Sequence, residues 1–141
     1  MQATGTQLAD ILRFLIQTTG NEFLQAVEDA ELSLTQLKAL HVLADDEELS
    51  LNGMAERLGG LSLPTVSRAV DSLVQRGYVR RTEDAADRRM KRVSLTAKGR
   101  RTIDKLVGIR AAEFERALES MTDDQRDQLA RALEPILERR S

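Results

Sequence analysis

Arg88, Arg89 and Lys91 stand within four positions of one another. A cationic cluster that dense suits the binding of phosphate. Upstream, Ser62, Pro64, Thr65, Ser67 and Arg68 set small polar groups around a further arginine, a surface able to meet base edges. Both groups fall in residues 62–101, which hold 11 Lys/Arg against 4 Asp/Glu, whereas residues 1–61 hold 3 against 10 and residues 102–141 hold 7 against 9. The formal net charge of −2 and pI near 5.5 therefore conceal a local positive footprint for a polyanion. A solvated charged hairpin is the bland alternative, but the block coincides with a helix followed by a hairpin, which favours DNA.

Catalytic chemistry is poorly supplied. The chain has no glycine-rich phosphate loop, no nucleophile motif and one histidine, His41, to act as base or ligand. The run Asp45-Asp46-Glu47-Glu48 reads as solvated loop surface rather than a metal cluster. Zero cysteines exclude disulfides, thiolate zinc sites and thiol redox sensing. No enzyme, cofactor or metal is expected. At 141 residues, 41% hydrophobic and 31% charged, the chain reads as a single globular domain over 1–141. It has neither the roughly 18 apolar residues of a membrane span nor a signal pattern, so a cytoplasmic protein away from membranes is expected.

Several elements must position the basic block. Ser62 is an N-cap, Pro64 fits the first turn, Val66, Val70 and Leu73 form a helical stripe, and Gly77 ends the helix. Tyr78–Arg81 and Arg92–Leu95 alternate as strands around a loop over 83–91. Upstream, a first helix over 6–30 carries Leu8, Ile11, Leu12, Leu15, Ile16 and Phe23 on one face, with a kink at Gly20-Asn21. The capping box Ser33–Gln36 opens a helix burying Leu37, Leu40 and Leu43. An edge strand at Leu49–Leu51 leads to a short helix, Gly53–Leu58, capped by Asn52 and stopped at Gly59-Gly60, which completes a helix-turn-helix. Beyond Gly99 a long helix carries Ile103, Leu106, Val107, Phe114, Leu118 and Met121. Thr122–Gln125 is a second capping box, opening a last helix with Leu129, Leu133, Ile136 and Leu137 inward and a kink or early end at Pro135. These terminal stripes exceed what a small core can cover, which points to two copies packing them together; burial within a monomer is the weaker alternative.

The run Asp87-Arg88-Arg89-Met90-Lys91-Arg92-Val93-Ser94-Leu95-Thr96-Ala97-Lys98-Gly99 resembles the DxR…LTxxG wing signature of the MarR family of winged helix-turn-helix regulators. Thr65–Arg68 and Leu73–Val79 are similar to that family's recognition helix and its exit, though its turn before the recognition helix is usually shorter than Gly59-Gly60 allows. The resemblance implies a mainly α fold with a small β-wing, with residues 32–99 as the winged helix-turn-helix and 6–30 and 100–140 as dimerisation helices. Leu8, Leu118 and Leu129 would join Leu133, Ile136 and Leu137 in the dimer contact. It also implies a dimeric, sequence-specific transcriptional regulator, a ligand-responsive repressor at a pseudo-palindromic operator. Its effector would be a small hydrophobic or aromatic molecule. Ile11, Leu12 and Leu15, then Leu37, Leu40 and His41, then Ile103 and Val107 could line the effector pocket, or equally be plain core. The alternative function is a winged-helix interaction module whose arginines meet an acidic protein partner.

In the wing, Asp87 admits two readings. It is a turn former, or it pairs with an arginine and holds Arg88 or Arg89 toward a minor groove.

Overall fold

The computed structural model describes residues 4–18 and 20–139. In chain order these form α1 (Gly5–Thr18), α2 (Glu22–Asp29), α3 (Leu34–Asp45), β1 (Leu49–Ser50), α4 (Leu51–Arg57), α5 (Leu63–Gln75), β2 (Val79–Glu83), β3 (Lys91–Leu95), α6 (Ala97–Leu118) and α7 (Asp123–Glu138). The fold is mainly α with one small antiparallel sheet, ordered β1-β3-β2. The single helix expected over 6–30 is instead two, interrupted at Gly20-Asn21, where glycine's backbone freedom weakens a helix interior. No helix among the described residues is long and apolar enough to cross a membrane.

The chain clusters into two compact units. The first in space around the sheet is 22–108. Its core collects Leu40, Leu43, Met54, Val66, Val70 and Leu73 from the helices and Val79 and Val93 from the strands. Ile103 and Leu106, on the first half of α6, complete it. Local chemistry fixes the helix ends. Ser33 and Gln36 form the expected reciprocal capping box on α3, with bonds of 3.1 and 2.9 Å. The cap of α4 is Ser50 rather than Asn52: Ser50 Oγ accepts from the Gly53 amide at 3.0 Å. Pairing of Ser50 with Arg92 on β3 delivers that serine to the helix entrance and leaves Asn52 inside the helix.

Two further restraints hold the exit of α5. Gly77 takes φ +79 after the Arg76 cap, the left-handed conformation that suits glycine, and the Tyr78 amide returns to the Leu73 carbonyl at 2.9 Å. Arg76 reaches back to donate to the carbonyls of Glu31 (2.8 Å) and Ala30, tying the end of α5 to the turn before α3. Gly99 then lies so close to the Tyr78 carbonyl oxygen that a Cβ would collide with it.

The other unit comprises residues up to Asn21 and those from Ile109 onward. Its helices are amphipathic, yet neither α1 nor α7 holds a buried residue. Among its described residues the fully buried charged side chain is Glu113, whose Oε2 accepts from Arg110 at 3.1 Å. Thr122 and Gln125 form the second expected capping box. At Pro135, where a kink or an early end is expected, the helix does not end: α7 runs through it to Glu138. Pro135 is exposed, so water can satisfy the carbonyl that loses its partner.

Candidate nucleic-acid interface

Helix α4, the turn after it and helix α5 form the helix-turn-helix. Both glycines of the turn adopt left-handed backbone, Gly59 at φ +85 and Gly60 at φ +80. Their amides close the end of α4 onto the Glu56 and Ala55 carbonyls, at 3.1 and 2.9 Å. Two consecutive positive φ values explain why two glycines stand here. Helix α5 opens at Ser62, with Pro64 in its first turn. Val66, Val70 and Leu73 are buried as their spacing demands, and the opposite face leaves Ser62, Pro64 and Arg68 exposed with Thr65 and Ser67 half-buried.

The wing is the β2–β3 hairpin, paired from Val79↔Leu95 to Glu83↔Lys91. Its tip is held by aspartates in different ways. Asp84 accepts from the Ala86 amide at 2.8 Å and from Arg92 Nε at 3.0 Å. That amide and the Arg92 guanidinium hold the Asp84 carboxyl below the ordinary aspartate value. Asp87 accepts from the Arg89 amide at 2.9 Å, and its carbonyl accepts from the Met90 amide at 3.0 Å. Asp87 is thus a turn former that fixes the backbone of Arg89; the arginine-paired aspartate is Asp84. Arg68, Arg88 and Arg89 take part in none of the ion pairs among the described residues. Lys91 has only a loose, exposed pairing with Glu83 at 3.4 Å, a contact worth little in water.

Wing and recognition helix converge. Arg89, Met90 and Lys91 share a crevice of about 400 Å³ with Leu63, Pro64 and Ser67, floored by Ser50–Asn52 at the start of α4. Arg81 ties the strand to the helix, with Asp71 at 2.7 Å and Ser67 Oγ at 3.5 Å. Sequence reasoning missed Arg81 and Leu63. Leu63 falls three residues before Val66 and so continues the buried stripe by period, yet at the first helical position it is 46% exposed.

The residues grouped as an effector pocket are distributed differently. Leu40 and Ile103 are fully buried in the core of 22–108, Leu37 is half-buried, and His41 and Val107 face solvent. Ile11 and Leu12 are exposed and Leu15 half-exposed on α1 in the other unit. Among the proposed dimer residues, Leu8, Leu133, Ile136 and Leu137 are exposed, and Leu118 and Leu129 half-buried. The acidic run lies away from the crevice, and Asp46, Glu47 and Glu48 share a separate hollow with Glu83, Asp84 and Arg92. Among the described residues no group of three or more His, Asp or Glu is placed to hold a metal ion.

A helix-turn-helix whose second helix exposes a small polar face, followed by an arginine-tipped hairpin, defines the winged-helix class of transcriptional regulators. The MarR-family profile matches residues 30–90, from the turn before α3 to the wing tip. Solved structures extend the likeness to nearly the whole chain. YusO from Bacillus subtilis is 26% identical, with 97% of this chain and 99% of that one covered at a TM-score of 0.71. A MarR-family transcriptional regulator from Silicibacter pomeroyi is 25% identical over 94% and 89% of the two chains, at 0.64. RV1404 from Mycobacterium tuberculosis is 25% identical over 98% and 95%, at 0.78. No curated protein matches. Residues 30–90 match the MarR family, and over nearly its whole length the chain is similar to winged-helix transcriptional regulators of that family.

Proposed function

We propose that the protein is a homodimeric, cytoplasmic repressor that binds a pseudo-palindromic operator without enzymatic activity and releases it when a small hydrophobic or aromatic effector binds. The observation that carries the DNA reading is the convergence of the α5 N-terminus and Arg89–Lys91 on one crevice, with Arg68, Arg88 and Arg89 outside every ion pair among the described residues. A positive tip beside a helix with a small polar face fits a major groove and the adjoining backbone or minor groove. The dimer reading is supported by Leu8, Ile11, Leu12, Phe14 and Ile16 on α1 and Leu133, Ile136 and Leu137 on α7, all exposed. The effector reading rests on the family, and the composition narrows it: with no cysteine and one histidine, thiol-based peroxide sensing and a multi-histidine zinc site are disfavoured.

Selection of bound sites from a random duplex pool tests the proposal. A recurring two-fold symmetric sequence is the expected result; binding that is indifferent to sequence, or absent, favours an acidic protein partner instead. On the selected site, Arg68→Ala should relax preference at one position per half-site by roughly 1–3 kcal/mol, the worth of a bidentate base contact. Equal weakening on all sequences would make Arg68 a phosphate contact.

A further inference from the structure

The first turn of α5 has its hydroxyls engaged within the protein. Ser62 Oγ caps the helix, accepting from the Thr65 amide at 3.4 Å, and lies 2.8 Å from Thr65 Oγ1, so these two hydroxyls bond each other. Ser67 Oγ accepts from the Arg81 guanidinium, itself anchored on Asp71. Beside the exposed Ser62, the turn presents aliphatic surface to solvent. Leu63 is 46% exposed, Pro64 beside it is exposed, and Leu61 just before the cap is 37% exposed. Leu63 and Pro64 lie along the crevice whose other wall is Arg89, Met90 and Lys91. A leucine left in water at the leading end of a groove-reading helix gains by meeting an apolar surface when the groove closes on it. In the major groove one base supplies such a surface: thymine, through its C5-methyl group.

We infer that Leu63, with Pro64 beside it, reads thymine 5-methyl groups in the major groove. At the base pairs facing the first turn, specificity then comes from hydrophobic contact rather than from hydrogen bonds, and Leu63 is a specificity-determining residue. This rests on the proposed reading of α5 as the DNA-facing helix and names what that helix recognises. The contact adds to whatever Arg68 reads one turn further along.

Deoxyuridine substitution tests it, because uracil keeps thymine's hydrogen-bonding edge and lacks only the methyl group. On the selected operator, replacing thymines one at a time by uracil should weaken wild-type binding about fourfold for each half-site at the contacted position, the effect of burying one methyl group. Leu63→Ala should shrink the difference between the thymine and uracil operators, leaving only what Pro64 covers. Leu34→Ala, a leucine 83% exposed on α3, should keep the full difference. Equal wild-type affinity for thymine and uracil operators overturns the inference, as does an undiminished uracil penalty in Leu63→Ala, or selected half-sites without thymine. Failure to select any sequence removes the DNA reading itself, a result distinct from selection with no methyl effect.

Discussion

The two units use similar amphipathic helices and finish them differently. In 22–108 the apolar stripes meet one another: Leu40, Leu43, Val66, Val70 and Leu73 are sealed beneath a sheet that contributes Val79 and Val93. In the terminal unit α1 and α7 seal nothing, and their leucines and isoleucines stay largely in water. The difference lies in partners rather than in pattern. A helix stripe is covered only if another element of the chain presents a matching face, and the sheet and α3 do this for α5. An apolar surface of that extent suits a partner, for which a second copy is the proposed answer.

The contrast is sharpest in stability. Leu73→Ala should cost about 2–5 kcal/mol in denaturant unfolding, since it empties a sealed site. Leu133→Ala, on a surface 39% exposed, should cost no more than about 0.5 kcal/mol under dilute conditions that leave the chain monomeric. Equal losses in that dilute regime would erase the distinction between the units. Raising protein concentration should raise the melting temperature of wild type and narrow the gap, because association adds to apparent stability.

Next in size is the effect of a charge on the uncovered face. Leu133→Glu should weaken self-association at least about tenfold, visible as a monomer by sedimentation at micromolar concentration, and operator affinity should fall with it. A wild-type chain that itself sediments as a stable monomer there would remove the second copy as the missing cover.

The smallest effects separate two aspartates within the winged-helix unit. Asp84, held below the ordinary 3.8 by the Ala86 amide and Arg92, stabilises the wing base in its ionised form. That contribution is present above the unfolded value and is lost as pH falls through the lower folded value. Amide and guanidinium signals of Ala86 and Arg92 should therefore shift at a lower pH than the signals around an exposed, unpaired aspartate. Asp87→Ala removes the bond to the Arg89 amide and should weaken operator binding a few-fold, even though it makes the protein more positive. Tighter binding at fixed salt would mean that Asp87 shapes the loop without aiming Arg89.

Much of this was legible in the residues because the physics is local. Both capping boxes, Gly77 as a helix stop and the two strands of the wing depend on neighbours within a few positions, and all appear. The N-cap of α4 was not legible in the same way. Ser50 and Asn52 are both good caps, and pairing of β1 with β3 chose the first. Pro135 marked a kink or an early end by rule, and at its exposed position the helix does not end.

By itself the sequence determined both capping boxes, the stop at Gly77, where the wing turns, and that positive charge gathers in 62–101, since each of these follows from side chains near in sequence. Tertiary structure decided which members of an equally periodic stripe are buried, placing Val66 in the core and Leu63 in water. It also decided which aspartate meets an arginine, Asp84 rather than Asp87. Burial and pairing depend on groups far away along the chain, and only folding brings those within reach.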